Sequence, residues 1–447
     1  MNPAVPWGQA WRFWLKLGFI SFGGPAGQIA LMHAEIVQRQ RWVSEQRFLH
    51  ALNYCMVLPG PEAQQLATYL GWLMHRTWGG IVAGVLFVLP SWFILVALSY
   101  VYVRYGQLPW VAAVFASLQP AVVAVVAVTA TRLARRTLQK PWKLALAVLA
   151  LGAVLWGRID FPWLVLVAAL VGVGVGRWRP GWLDAPISHA QVASQPGAAS
   201  PATAAPLIAD DSPLPAHALW QGRRALRTLL LGVMLALVPL LMLMLHYGSG
   251  HVLTQMGWFF SKAALVTFGG AYAVLPYVQQ EAVQVQGWLS AAQMMDGMAL
   301  GETTPGPLIM IVAFVGFLGG WSQQALGPEA LWAGAWLASA VATFFTFLPS
   351  FVFILVGGPW VEATRGRLGF NAPLQAIGAV VVGVMAQLGL QFAQHALWPS
   401  GLSAWPDGWA LFVLLVALAL LVWRRTSVAR TVLLCGLLGA VAHLLRV

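Results

Sequence analysis

The chain has 447 residues, 60% hydrophobic and 9% charged, with a mean hydropathy of +0.75; soluble domains carry roughly 25% charged residues, so a water-soluble enzyme is excluded and a polytopic membrane protein is indicated. The net charge of +12 comes from sparse basic residues beside apolar segments, which is how topology determinants are placed, and no nucleic-acid partner is expected. The two cysteines, Cys55 and Cys435, lie far apart in apolar stretches and indicate neither a disulfide framework nor a thiolate metal site.

A helix that crosses the hydrocarbon needs about 20 mainly apolar residues. The N-terminal stretch MNPAVPWGQAWRFW lacks the pattern of a cleaved signal, so the first span is expected to serve as the targeting signal. The first half supplies six candidate spans: residues 13–33, 48–74, 81–103, 110–130, 144–157 and 161–176. Between 177 and 221 Pro, Ala and Ser dominate, which reads as a flexible linker. The second half supplies seven: residues 226–246, 256–278, 294–318, 331–356, 373–395, 410–423 and 428–445. The expected fold is an all-α polytopic membrane protein with about thirteen transmembrane segments. Its expected divisions are a first repeat (1–176), a cytoplasmic linker (177–221) and a second repeat with one extra leading span (222–447).

The division into repeats rests on internal similarity. Lys16 with Ser21-Phe22-Gly23-Gly24 recurs 246 residues later as Lys262 with Thr267-Phe268-Gly269-Gly270, and Pro59-Gly60-Pro61 recurs as Pro305-Gly306-Pro307. Over the ungapped stretch from Trp14/Phe260 to Pro61/Pro307, 13 of 48 pairs are identical, where chance gives roughly three or four. Among them are Glu35/Glu281, Gln40/Gln286, Trp42/Trp288 and Ser44/Ser290. Further on, Leu89-Pro90-Ser91 matches Leu348-Pro349-Ser350 at an offset of 259, so the second copy has about 13 extra residues, expected in a loop near residues 319–334.

Basic loops set the orientation. With the linker in the cytoplasm, Arg132, Arg135, Arg136, Lys140, Lys143, Arg365, Arg367, Arg424 and Arg425 also fall inside, the N-terminus is cytoplasmic and Val447 is outside. Arg39, Arg41 and Arg47 alone fall on the wrong side, unless a broken segment does not cross completely. Seven spans separate the two copies, an odd number, so they face opposite ways, as in inverted-repeat carriers.

The chemistry concentrates at the breaks. Proline removes a donor and glycine opens backbone conformations closed to other residues, so each PGP inside an apolar segment exposes polar backbone that needs a cavity. A helix restarted there offers free N–H groups and a positive dipole end, suited to an oxyanion; the alternative for the FGG pair is close helix packing. Lys16 and Lys262 sit five residues before the FGG breaks, placed either to attract an anion or to snorkel to headgroups. Three carboxyls are candidates for proton coupling: Glu62 directly after the first PGP, Glu302 three residues before the second, with Met56 as its counterpart, and Asp296, the counterpart of His50. Gly172–Gly176 ends an apolar helix and reads as packing, and the tryptophans at span ends read as interfacial anchors. Neither HExxH nor a strand-placed GxGxxG occurs, so no enzyme and no cofactor is expected.

The motifs SFGGPAGQIALMH, LPGPEAQQLATYLGW, TFGGAYAVLPYV and GETTPGPLIMIVAFVGF, in this order, resemble the two-domain form of the chromate ion transporter family. The resemblance implies a multi-pass bacterial inner-membrane carrier that exports chromate as an antiporter driven by the proton gradient and gives chromate resistance. It carries over Phe22, Gly23, Gly24, Pro25, Pro59, Gly60, Pro61, Phe268, Gly269, Gly270, Glu302, Pro305, Gly306 and Pro307 as motif residues; Ala271 replaces the proline of the first copy. Partners would be chromate, protons and the lipid bilayer, and a homodimer is left open. Chromate and sulfate are tetrahedral dianions of similar size, so another oxyanion permease, or a passive anion channel, is the alternative.

Overall fold

The computed structural model describes residues 5–157, 159–183, 206–210, 216–268, 271–363, 371–401 and 403–445. All thirteen apolar segments are helical, and among the described residues the sole β-type pairing is an isolated bridge between Val43 and Ile208.

The first broken segment turns back on itself. α1 (Trp7–Ile20) stops at Ser21, Gly23 and Gly24 take φ of +90° and +70°, and α2 (Gly24–His33) starts with proline in its first turn, where a missing N–H costs nothing. A π-helical turn (Ala34–Arg39) extends α2. The far ends of this unit meet: Gln9 Nε2 is 3.4 Å from Gln40 Oε1, and the Phe13 and Trp42 rings are 5.2 Å apart.

The second broken segment does the same. α3 (Glu45–Val57) is capped by the Ser44 hydroxyl and runs to the first PGP, after which α4 (Glu62–Tyr105) begins. α4 is doubled at His75 and Arg76, which leave helical geometry. A Cβ on Gly71 would strike the Gly79 carbonyl, which in a continuous helix lies about 12 Å along the axis. Residues 62–74 are therefore the return arm of a hairpin with α3, with the Tyr54 and Tyr69 rings 6.0 Å apart, and residues 77–105 form a crossing helix. α5 (Pro109–Thr137), α6 (Pro141–Gly157) and α7 (Phe161–Trp178) complete the first copy.

In the second copy the extra helix α8 (Gly222–Tyr247) leads. α9 (Val252–Val266) and α10 (Ala271–Gln279) flank the second FGG break, whose Gly269 and Gly270 lie outside the described residues. α11 (Ala291–Thr303), the PGP turn, a 3-10 turn (Leu308–Met310) and α12 (Ile311–Ser322) form the fourth hairpin. α13 (Leu331–Ala363), α14 (Asn371–Leu397), α15 (Gly408–Val422) and α16 (Val428–Leu444) follow. The extra residues of this copy fall in the connection 323–330 and the first turn of α13, so part of the expected insertion, Gly319 and Gly320, is instead helical.

The residues shared by the copies now have a structural reason. A second π turn (Gln280–Val285) sits 246 residues after the first, and both end alike: the Gln40 and Gln286 N–H groups donate to Glu35 and Glu281, and those of Trp42 and Trp288 to Ile36 and Ala282, all at 2.8 Å. Ser44 and Ser290 cap the following helices.

Contacts define two faces. His75 Nε2 donates to the Val5 carbonyl (2.8 Å), His217 Nε2 to that of Trp72 (3.0 Å), and the linker residues Leu207 and Ile208 donate their N–H groups to Arg41 and Trp42 (2.9 and 3.0 Å). The N-terminus, the 40–44 loop and the linker thus share one face. Trp288, Gln293, Trp321 and Ser322 gather at the other, around Tyr102 and Gly106 at the end of α4, so the second copy's hairpins enter from the opposite side. Arg39, Arg41 and Arg47 consequently stand on the linker face, because the first two broken segments turn back; Arg365 and Arg367 lie outside the described residues. Removing two crossings from each copy leaves the parity, and the inverted relation, unchanged. A cysteine at Gln40 is expected to react with an impermeant maleimide from the linker side alone and one at Gln286 from the other side alone; labelling of both from the same side would refute the hairpins.

The two halves interleave: α13 packs on α4, α9 and α12, while α14 lies against α5, α6 and α7, and α15 and α16 against α5. Outward surfaces are apolar, with Leu166, Leu170, Leu231, Leu241, Leu415 and Leu437 all exposed. A belt of this kind is an aggregation surface in water and the solvent contact in a bilayer. α8 lies almost wholly in that belt, approaching α13 where Gly232 faces Val352.

Candidate functional site

Breaking a helix inside hydrocarbon frees backbone groups, each costing several kcal/mol if left unpaired. The two copies pair each other's. The Gly60 N–H of the first PGP donates to the carbonyl of Thr267, the residue before the second FGG, at 2.8 Å; the Gly306 N–H of the second PGP donates to the carbonyl of Ser21, before the first FGG, also at 2.8 Å. All four hairpin tips therefore meet in two junctions related by the repeat.

Both junction glycines are forced. Gly60 and Gly306 have φ of +119° and +103°, in the region that disfavours side chains. A Cβ on Gly60 would strike the Ser350 hydroxyl, and one on Gly306 would overlap Ser91. These two serines are themselves repeat counterparts, the LPS positions of α13 and α4. Pro61, Pro305 and Pro307 are buried, Pro59, Gly24 and Pro25 are half-buried, and Phe22 and Gly23 are exposed, with Phe268 between these extremes.

The polar side chains at the junctions come mainly from the first copy. Gln28 Nε2 donates to the Gly306 carbonyl (2.5 Å) and Gln65 Nε2 to that of Pro59 (2.7 Å), while Gln64 Nε2 reaches Thr68 Oγ1 (3.0 Å). The counterparts in the second copy are Val274, Ile311, Met310 and Phe314. Among the described residues the hydroxyls of Ser21 and Ser91 are buried without a partner; such groups call for an acceptor, and an oxyanion is one.

The carboxyls are each held by a phenol or a helix end. Glu302 is buried and accepts from the Tyr272 hydroxyl at 2.8 Å. Asp296 is also buried, accepting from Tyr102 (2.8 Å) and Gln119 (3.2 Å). In the other copy His50, its counterpart, donates to the carbonyl of Val361, the counterpart of Tyr102 (3.3 Å), so one contact persists with different chemistry. Glu62 is half-buried at the first turn of α4, where negative charge suits the dipole. Lys16 is exposed on α1; Lys262 is half-buried, its Nζ 5.9 Å from the centre of the Trp258 ring. Neither lysine takes part in the hydrogen bonds that join the breaks.

Sequence reasoning missed Glu362, buried at the end of α13 and accepting from Tyr69 at 2.6 Å. Its one signal was a lone acid just past an apolar run. It also missed Gln28, Gln65, Ser91 and Ser350, although the duplicated LPS motif pointed to the two serines.

Two inverted copies with broken helices meeting in the interior define a multi-pass membrane protein with the broken-helix repeat plan seen among transporters. The chain belongs to the chromate transporter family, whose profile, described as "Chromate transporter", matches residues 8–173 and 254–440. It is 28% identical over 440 residues to a chromate transport protein of Cupriavidus metallidurans, covering 97% of this chain and 93% of that one. It is 30% identical over 399 residues to a chromate transport protein of Pseudomonas aeruginosa, covering 88% and 82%, and 24% identical over 426 residues to an uncharacterized transporter of Methanocaldococcus jannaschii, covering 95% and 92%. No solved structure matches the chain.

Proposed function

We propose that this protein carries chromate out of the cell across the bacterial inner membrane in exchange for protons and so confers chromate resistance. The N-terminus and linker then lie in the cytoplasm and the C-terminus in the periplasm. The observation that carries this reading is the reciprocal pairing of Gly60 with Thr267 and of Gly306 with Ser21. It concentrates backbone dipoles and buried serine hydroxyls in two junctions related by the repeat, one for each direction of opening. The dianion sits at these junctions between the restarted helices, and Glu302, three residues before the second PGP, exchanges the proton. Uptake of labelled chromate and sulfate into inverted vesicles, with and without an imposed pH gradient, tests the reading. Chromate accumulation that grows with the gradient is expected; a steady flux indifferent to it would instead identify a passive channel, and preference for sulfate a different permease.

In this reading Lys16 and Lys262 raise the local anion concentration without gripping the anion. Lys16→Gln and Lys262→Gln are each expected to raise the half-saturating chromate concentration, by roughly the threefold to tenfold that the loss of ~1 kcal/mol of screened attraction brings, with maximal rate unchanged and a larger effect in the double variant. Unchanged saturation in both single variants would assign the lysines to the headgroups.

A further inference from the structure

The repeat provides two equivalent vestibules, and the structure treats them differently. On the face opposite the linker, Tyr102, Gln107, Trp288, Gln293, Leu318, Trp321 and Ser322 line an open cavity of about 210 Å³. The matching positions on the linker face include Trp42, Arg47, Trp72, His75 and Arg76. Here described linker residues lie against these positions and the loop beside them. Ile208 bridges to Val43, its carbonyl accepting the Ser44 N–H (3.0 Å); Ser44 Oγ donates to Asp210 Oδ1 (2.5 Å); and His217 packs edge-on against Trp72 with ring centres 5.5 Å apart. Ala218 is fully buried, and Leu207 and Ile208 pack on the core.

Two contrasts show what this vestibule takes. Arg47, His75 and Arg76 stand where the open vestibule has Gln293, Trp321 and Ser322. At these positions the linker face thus carries two arginines where the other face has uncharged side chains. At the first turn of α3 the Asp210 carboxylate joins the Ser44 cap; at the matching turn of α11 the second copy closes its own cap, Gln293 Oε1 accepting the Ser290 N–H (2.8 Å). A helix N-terminus beside arginines favours an anion, and a linker carboxylate occupies that position.

We propose that linker residues 206–210 and 216–218 form a built-in cover over an oxyanion portal on the linker face, with Arg47, His75 and Arg76 drawing the anion in and Asp210 holding its place until the cover lifts. This rests on the function proposed above and adds the gate and the side from which the anion is collected. Burial, outweighing its bond to Trp72, and the nearby Arg76 and Arg224 hold the His217 imidazole below the usual range.

The test uses the full-length protein in vesicles with the linker face outward. Ser44→Cys with Asp210→Cys, joined by a short bifunctional methanethiosulfonate, is expected to lose at least about tenfold of chromate uptake and to regain it on reduction, while the same treatment shifts each single variant by less than about twofold from its own untreated rate. Uptake at the unlinked rate by the joined protein overturns the cover, as does failure of the two cysteines to join. Arg76→Gln is expected to raise half-saturating chromate several-fold for uptake from the linker side only; no change, or an equal change from both sides, overturns the portal. A readout free of transport separates the two proposals. Leu207→Asp with Ile208→Asp should speed maleimide labelling of a cysteine at Ser44, and unchanged labelling overturns the cover even if chromate is not the substrate. Absence of chromate uptake by the parent protein, with that labelling response intact, defeats the proposed function alone.

Discussion

Replacing Gly60 or Gly306 with leucine is expected to abolish chromate transport while leaving the protein in the membrane. Two costs combine at each site. Holding a non-glycine residue at φ of +119° or +103° costs about 1–3 kcal/mol, and forcing a side chain into a packed contact costs a further ~1–3 kcal/mol. The chain relieves both by withdrawing the PGP turn, which breaks the N–H bond to Thr267 or Ser21 and separates the two copies where they must meet. The helices far from the junctions keep their packing, so insertion survives. A compensating pair sharpens the test. Gly306→Ala with Ser91→Gly should recover part of the activity that Gly306→Ala loses, because the overlap is with Ser91; Gly306→Ala with Ser350→Gly should recover none. Normal transport by both leucine variants would show that the PGP turns are packing features and that the junctions are not the site.

Much of this arrangement was legible in the chain. Apolar length and composition gave the helices, and the duplicated FGG and PGP motifs gave the breaks and the opposed orientation of the copies. The turning back of the broken segments was not legible, because an apolar stretch such as 48–74 is long enough to cross whether or not Pro59-Gly60-Pro61 reverses it. Arg39, Arg41 and Arg47 were the trace of that reversal. The pairing of Gly60 with Thr267 was hidden for a different reason: the residues are 207 positions apart, and no local pattern tells a PGP turn which carbonyl it will find. Leu207 and Ile208 lay in a composition that reads as linker, where two aliphatic residues carry no periodicity. Tyr272 gave no warning of its bond to Glu302, since its repeat counterpart is Ala26.

The second large effect is expected at Glu302. Glu302→Gln should retain chromate exchange across the membrane, within about threefold of the parent as expected for a change that keeps size and polarity, but lose accumulation driven by a pH gradient. A buried carboxyl must be neutral or compensated, and the Tyr272 hydroxyl is its one hydrogen-bond donor among the described residues. Exchange requires the proton and the dianion to load alternately, so in the proposed cycle the carboxyl takes its proton when the neighbouring junction is empty and releases it before the next dianion loads. Glutamine mimics the protonated acid permanently, leaving the anion path intact and removing the exchangeable proton. Tyr272→Phe should fall between the parent and Glu302→Gln in gradient-driven accumulation, since it removes the partner and leaves the acid. The measurement is chromate accumulation in proteoliposomes at matched anion exchange rates. Full gradient-driven accumulation by Glu302→Gln would eliminate it as the coupling group and turn attention to Glu62 or Asp296.

The reciprocal junctions also constrain how the molecule is made. Ser21 leaves the ribosome 285 residues before Gly306, its backbone partner, and Gly60 precedes Thr267 by 207. At the ~5–20 residues per second of synthesis, the first half waits on the order of ten seconds to a minute with two hairpin tips unpaired. In that interval the nascent hairpins need water, lipid headgroups or an insertion factor as temporary partners. The linker is made between the two halves, and its strap on the 40–44 loop can hold the early hairpins at the membrane surface until their counterparts emerge.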